Sequence, residues 1–491
     1  MGGVGQLHRP VTIGTVPDDV LLNIFKIFID EKYFHSAASE EWRILVHVCR
    51  RWRNLAFTSP RHLNLQLYFE PLRKSVKKML DTWPELPIYI RNYSYTSNEA
   101  IDDIAAALRL NHRVSRIHLE KISDSAWETF AALMQHPFPA LTHLRVLPHH
   151  TIKNAISHSF LGGSAPCLQD LHLIQLPFPA LPKLLLSSTN LVRLWYNTIP
   201  LSGHISPQAM VTSLSALNRL ESLSLTFKSP QSLPDWEIQI PPPHTRTLLP
   251  ALTSLCFHGV PEYIEDLVAR IDAPSLESMA ITLFYQEVVE ASELAKFVCR
   301  ADKLSLLDRA EVTLGADCIS VTLSQELLIG RVDPKTLLLN PAYLESSDWR
   351  LSYLAPLCAS LLPTLFPFEC LHIRVTPHYS WHWQDVVDGP DPQSLNLLHL
   401  FNTVTVKDLR LCKSVALPVA RALRGLPAER VTEVLPALEN VFISEPEPFG
   451  PVKEAISEFA DARQLSGHPV SIYNWESFIL ENREMDRGID G

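Results

Sequence analysis

The side chains best placed to do chemistry crowd into one stretch: His372, His378, Tyr379, Trp381, His382, Trp383, Asp385, Asp388 and Asp391. Histidine beside carboxylates is the donor set of metal sites and of general acid–base pairs, yet these spacings fit no common metal site. Nothing elsewhere completes a reaction centre. Gly162-Gly163-Ser164 lacks the following Lys of a phosphate loop, and neither a G-x-S-x-G elbow nor H-E-x-x-H occurs. The expectation is a non-enzymatic protein with no metal and no cofactor. Trp381 and Trp383 then carry two open readings. They pack into a flank of the fold, or they anchor an interface, a role that Trp fills disproportionately.

The elements around that stretch follow one recurring phrase: an apolar residue, two variable, an apolar, one variable, an apolar, often with Pro-x before it. It stands at Val114/Ile117/Leu119, Leu141/Leu144/Val146, Leu168/Leu171/Leu173, Leu191/Leu194/Tyr196, Leu220/Leu223/Leu225, Leu252/Leu255/Phe257 and Leu276/Met279/Ile281. It returns at Phe368/Leu371/Ile373, Val406/Leu409/Leu411 and Leu438/Val441/Ile443. The first seven copies are 27, 27, 23, 29, 32 and 24 residues apart. The last two apolar residues of each phrase predict a short strand with alternate side chains inward. Trp127–Met134, Ala209–Leu217, Tyr263–Ile271, Val288–Val298, Val415–Leu423 and Val452–Ala462 are candidate return helices. Residues 285–363 lack clear repeats. Within them Val312–Leu314 and Ile319–Leu323 alternate like antiparallel strands, as an insertion or as part of the same sheet.

Length and composition set bounds on what this can be. The chain has 491 residues, 46% hydrophobic and 20% charged, which suits a small domain plus a large one or a solenoid. Turns fall to 38 prolines rather than to the 16 glycines. A net charge of −10 argues against nucleic acid as a partner. Between Arg43 and Lys78, however, nine Lys or Arg face a single acid, Glu70. That run reads as the solvated backs of helices or as steering toward an acidic partner. The eight cysteines are scattered without a Cys-x-x-Cys pair, giving neither a zinc ribbon nor a disulfide framework. No apolar leader opens the sequence, and the most apolar run, Leu354–Phe368, is short and broken by prolines. A cytoplasmic or nuclear protein with no membrane partner is expected.

Residues 16–56 show more apolar surface than so short a segment can bury. Val20, Leu21, Ile24, Phe25 and Phe28 follow Pro17 and Asp18 at helical spacing, and Leu45, Val48, Cys49, Trp52 and Leu55 form a second stripe. Two such faces in about 40 residues imply a docking module. The order resembles the F-box, whose signature is a Leu-Pro pair, an amphipathic helix and a later Val-Cys-x-x-Trp helix. Val16 stands in place of the leading Leu, and Trp42–Trp52 matches the second half. The resemblance implies docking to a Skp-type adaptor and its cullin scaffold. Val16, Pro17, Val20, Leu21, Ile24, Phe25, Leu45, Val48, Cys49, Trp52 and Leu55 would be the adaptor-binding residues.

The repeat phrase, with its first seven copies 23–32 residues apart, resembles the L-x-x-L-x-L core of leucine-rich repeats. It departs from them in irregular spacing and in lacking the usual Asn or Cys after the strand. Leu304–Val312, Val321–Ser324, Trp349–Ser352, Glu429–Leu438 and Arg463–Pro469 resemble F-box-like proteins with leucine-rich repeats of mushroom-forming fungi, over residues 12–480. The expected organisation is α/β: a disordered stretch at 1–11, a small α-helical F-box at 12–70, an irregular leucine-rich-repeat solenoid at 71–480 and a tail at 481–491. The resemblance implies a substrate receptor of an SCF-type ubiquitin ligase, with an interaction scaffold outside any ligase as the alternative. Outward strand positions such as His172, Trp195, Ser224 and Cys256, bordered by Trp381 and Trp383, would bind a target protein of unknown identity.

Overall fold

Seven copies of the phrase build the same local structure, beginning with a turn, the one at Leu252 closing on Leu249. The N–H of the first apolar residue donates to the carbonyl three residues back: Leu141 to Phe138, Leu168 to Ala165, Leu191 to Ser188, Leu220 to Leu217, Leu276 to Ala273 and Leu438 to Leu435. The chain then extends into a strand whose next two apolar residues face inward, and those side chains are buried throughout. The computed structural model describes residues 13–33, 42–60, 62–63, 65–70, 83, 85–93, 97–229, 245–284, 291–304, 307, 309–314, 319–324, 336–341, 369–375, 397–399, 401, 405–444 and 450–474. The chain divides into two compact units, residues 1–176 and 177–491.

The first unit opens with three helices, α1 (Asp18–Tyr33), α2 (Trp42–Val48) and α3 (Arg50–Thr58). Five parallel strands follow in spatial order β1 (Leu67–Phe69), β2 (Ile88–Asn92), β3 (Val114–Ile122), β4 (His143–Pro148) and β5 (Asp170–Ile174). Helices α4 (Asn98–Leu108) and α5 (Asp124–Leu133) return the chain between strands. Ser97 and Ser123 cap them, each accepting through its hydroxyl from the N–H three residues on. The strand layer begins at Leu67, within the residues assigned by sequence to the helical module.

The second unit carries α6 (Leu181–Ser187), β6 (Arg193–Ile199), α7 (Pro207–Leu214), β7 (Ser222–Phe227), β8 (Thr247–Leu248), β9 (Ser254–Gly259), α8 (Pro261–Ala269), β10 (Ile271–Asp272), β11 (Ser278–Leu283) and α9 (Ser292–Cys299). It continues through β12 (Arg309–Leu314), β13 (Ile319–Ser324), β14 (Thr336–Pro341), β15 (Cys370–Val375), β16 (Asp408–Cys412), α10 (Lys413–Arg424), β17 (Asn440–Ser444), α11 (Pro451–Leu465) and β18 (Ser471–Asn474). The order in its main sheet is β6-β7-β9-β11-β14-β13-β12-β15-β16-β17-β18, and β8 pairs with β10 apart from it. Proline opens α6, α7, α8 and α11, where its missing N–H costs nothing.

The region without repeats completes this sheet. β12 and β13 pair antiparallel with Val312 opposite Val321, and β13 pairs antiparallel with β14. β14 lies parallel to β11 and β12 parallel to β15, so one reversed strand bridges two parallel blocks. The six expected return helices coincide with α5, α7, α8, α9, α10 and α11, with ends differing by a few residues. α4 and α6 were not anticipated. α6 has only seven residues, and its Leu run reads equally well as a buried strand. Among the described residues no helix is long and apolar enough to cross a membrane.

Arginines hold the turns between elements. Arg463 is fully buried and donates to the carbonyls of Leu438 at 3.0 Å and Val431 at 3.3 Å. It thereby joins two of the stretches, Glu429–Leu438 and Arg463–Pro469, that carry the family resemblance. Arg113 donates in the same way to the Leu86 carbonyl at 3.0 Å, and Arg300 binds Asp272 at 2.6 Å and the Val268 carbonyl at 3.3 Å. Each satisfies carbonyls that a turn exposes between strand and helix.

Leu223 is fully buried, with Leu194 and Leu255 beside it in register. Leu223→Ala is expected to cost about 2–5 kcal/mol, read as a lower urea midpoint; a loss under about 1 kcal/mol would place this leucine outside the core.

Candidate functional site: an apolar helical face and outward strand rows

An α-helix turns about 100° per residue, so neighbouring apolar residues can serve two separate faces. In α1 they do. Leu21, Phe25 and Ile29 are buried, whereas Val20, Ile24 and Ile27 are exposed by 42%, 43% and 66%. The same division holds in α2, where Trp42, Leu45 and Val46 face inward and Ile44 and Val48 are 58% and 55% exposed on the opposite side. Ile13, 56% exposed, precedes α1.

The Val-Cys-x-x-Trp spacing has a local physical cause. Cys49 is the N-cap of α3, in extended backbone, and its Sγ accepts from the Trp52 N–H at 3.5 Å. That cap breaks the chain between α2 and α3 and turns the Trp52 ring onto Phe25, with centroids 4.7 Å apart. Arg51 ties α3 to the start of α1, donating to the Val16 carbonyl at 2.5 Å and to Asp18 Oδ1 at 2.6 Å. Trp42 anchors the helices to the strand layer by donating from Nε1 to the Gln66 carbonyl at 3.1 Å. Trp83 and Phe57 pack edge-on against it, and the Arg43 guanidinium covers Trp83.

The residues grouped by sequence into one contact face therefore separate. Pro17, Val20, Ile24, Val48 and Cys49 are exposed, and Val16, Trp52 and Leu55 are half-buried. Leu21, Phe25 and Leu45 lie inside the module and hold it together. The difference arises because two stripes about 100° apart merge when read as one run. Ile13, Ile27 and Ile44 join the exposed face. Ile27 carried a signal, since it stands seven residues after Val20.

In the first unit, backbone register sets the outward residues of the sheet in rows. Arg91, His118, Arg145 and His172 form one row, and Tyr89, Arg116, His143 and Asp170 the next. Glu120 Oε1 lies 2.8 Å from His118 Nε2 and 3.2 Å from Arg145 Nη2. Tyr93 sits edge-on to His118 with centroids 4.6 Å apart and under the Arg91 guanidinium at 4.9 Å. Burial, then the charges of Arg145 and His118, push the His172 imidazole down to about 4. Burial lowers His118 too, and burial with the neighbouring Tyr93 pushes the Tyr89 phenol up to about 12.

In the second unit one row runs across the whole main sheet, from Trp195 through Ser224, Cys256 and Ala280 to Glu311, His372, Arg410, Phe442 and Tyr473. Trp195, 37% exposed, donates from Nε1 to Ser222 Oγ at 3.2 Å. Burial raises the Cys256 thiol against a hydrogen bond with Ser224. Burial alone would raise Glu311, but hydrogen bonding to His372 and the charge of Arg374, 2.9 Å away, hold it below the usual carboxylate range. Phe442 stacks on Tyr473 and receives the Arg410 guanidinium.

His172, Trp195, Ser224 and Cys256 alternate with the core residues of their strands, but only Trp195 is exposed; His172 and Cys256 are half-buried and Ser224, covered by its neighbours in the row, is buried. Trp381 and Trp383, with His378, Tyr379, His382, Asp385, Asp388 and Asp391, fall outside the described residues. Among the described residues no three His, Cys, Asp or Glu side chains are grouped to hold a metal ion. No protein-family model matches the sequence, and a search of curated proteins finds no match.

A histidine whose folded pKa lies below its unfolded value of about 6.5 leaves the unfolded state binding more protons between the two. Stability then falls as pH drops from about 6.5 toward 4. His172→Asn is expected to flatten part of that decline in the urea midpoint; a slope equal to that of the unaltered protein would mean that His172 takes up its proton equally in both states.

Proposed function

We propose that the chain is a non-enzymatic substrate-recognition subunit of an SCF-type cullin-RING ubiquitin ligase. Its three N-terminal helices act as an F-box that docks a Skp-type adaptor, and the strand layer is a degenerate leucine-rich-repeat solenoid that presents a target protein. The observation that carries this reading is the outward apolar stripe Val20, Ile24 and Ile27, with Ile44 and Val48 likewise exposed, on a module whose own core is already filled by Leu21, Phe25, Leu45 and Trp42. Exposed aliphatic residues clustered in so small a module mark an interaction surface. The Cys49 cap and the Trp52–Phe25 contact give the F-box-like signature a structural role inside the module. The outward strand rows, with Trp, Tyr, Arg and His, have the composition of protein interfaces.

Because the outward stripe is separate from the core, its contribution to docking can be tested without unfolding the module. Burying each large aliphatic group is worth about 1.5–3 kcal/mol. Ile24→Glu with Val48→Glu should therefore lower capture of a purified Skp-type adaptor well over tenfold and leave the thermal midpoint unchanged. Undiminished capture by a folded double variant would remove the adaptor reading and leave an interaction scaffold outside a ligase. Trp195→Ala should spare adaptor capture and weaken retention of target proteins.

A further inference from the structure

The outward rows of the first unit contain three guanidinium groups, those of Arg91, Arg116 and Arg145, and three carboxylates, those of Glu70, Glu120 and Asp170. Two of these carboxylates, Glu120 and Asp170, are shared with or taken by histidines. Glu120 serves both His118 and Arg145, Asp170 Oδ2 lies 3.1 Å from His143 Nε2, and Glu70 stands 3.7 Å from Arg91. Arg116 stands in register between Tyr89 and His143, yet among the described residues no carboxylate lies within ion-pair distance of it. Its Nε is buried without an acceptor, and so is the Nε of Arg145 on the neighbouring strand. A buried donor without an acceptor is unfavourable, and a guanidinium's fixed fork is matched best by a carboxylate. Arg116 and Arg145 are half-buried on adjacent strands near the Tyr89 and Tyr93 rings, and among the described residues their Nε donors meet no acceptor.

We infer that this patch recognises an acidic peptide segment of the target, with an Asp or Glu side chain received by Arg116 and the segment passing over Tyr89 and Tyr93. The inference rests on the reading that the outward strand face captures targets, and it names the chemistry of what is captured. The net charge of −10 opposes acidic partners at long range, so recognition must come from these local guanidinium groups and weaken as salt screens them.

The test uses the full chain and three labelled probes followed by fluorescence anisotropy: an alternating Glu-Gly octapeptide, its Gln-Gly counterpart and a single-stranded oligothymidylate. The Glu peptide is expected to bind at least about tenfold more tightly than the Gln peptide, a preference worth about 1.4 kcal/mol, and to weaken with added salt. Arg116→Gln should abolish that preference with the thermal midpoint unchanged, and Arg116→Lys should restore part of it. Equal binding of the two peptides, a preference that survives Arg116→Gln, or tighter binding of the oligothymidylate would overturn the inference. If target retention still depends on Trp195 while the peptide preference is absent, the acidic assignment alone fails. If neither Trp195→Ala nor Arg116→Gln changes retention of targets, the face itself is not the capture surface.

Discussion

The structure depends on one constraint: a parallel strand can satisfy both of its edges only if the next strand arrives in register after a long excursion. The turn before each phrase meets it. By closing a hydrogen bond three residues back, it sets the first leucine on the core and starts the strand at the same height in seven copies. Spacing between copies can then vary from 23 to 32 residues, because the excursion is absorbed by helices and loops of different length. Register fixes the rest. Every second side chain goes to the core and the intervening ones fall into rows on the other face, so both sets share one periodicity.

The same constraint explains the reversed strand. Parallel neighbours need a return path, whereas antiparallel ones can be joined by a short turn. β12, β13 and β14 supply three strands of which only β13 is reversed, and the outer two keep the direction of β15 and β11. The outward row passes through them unbroken, from Ala280 to Leu338, Thr322, Glu311 and His372. β12, β13 and β14, from a region without repeats in sequence, are therefore continuous with the repeat strands in structure.

Buried charge is handled differently on the two sides of the strands. Arg113, Arg300 and Arg463 donate to turn carbonyls and so serve the backbone. Arg91, Arg116, Arg145 and Arg410 stand on the outward rows beside Tyr, His or Phe. The helical module shows the same economy: Arg51 closes it through Val16 and Asp18, while Val20, Ile24 and Ile27 face out.

The sequence by itself determined what is periodic. The apolar phrase, its Pro-marked turn, six of the return helices and the antiparallel pair at Val312 and Val321 were legible because each rests on contacts within a few residues or on strict alternation. Even the Cys49 cap lay in the Cys-x-x-Trp spacing. Only the tertiary structure decided which of two apolar stripes faces inward. Val20 and Leu21 are neighbouring aliphatic residues, and which of them is buried depends on how α1 packs on α2 and α3, not on residue type. Nor could the sequence show that Arg116 meets no carboxylate among the described residues. Glu120 and Asp170 are near enough in the chain to serve it, and the lateral register of β3, β4 and β5 assigns them to His118, Arg145 and His143 instead. Ion pairing between strands about 27 residues apart is set by register, and register is a property of the assembled sheet.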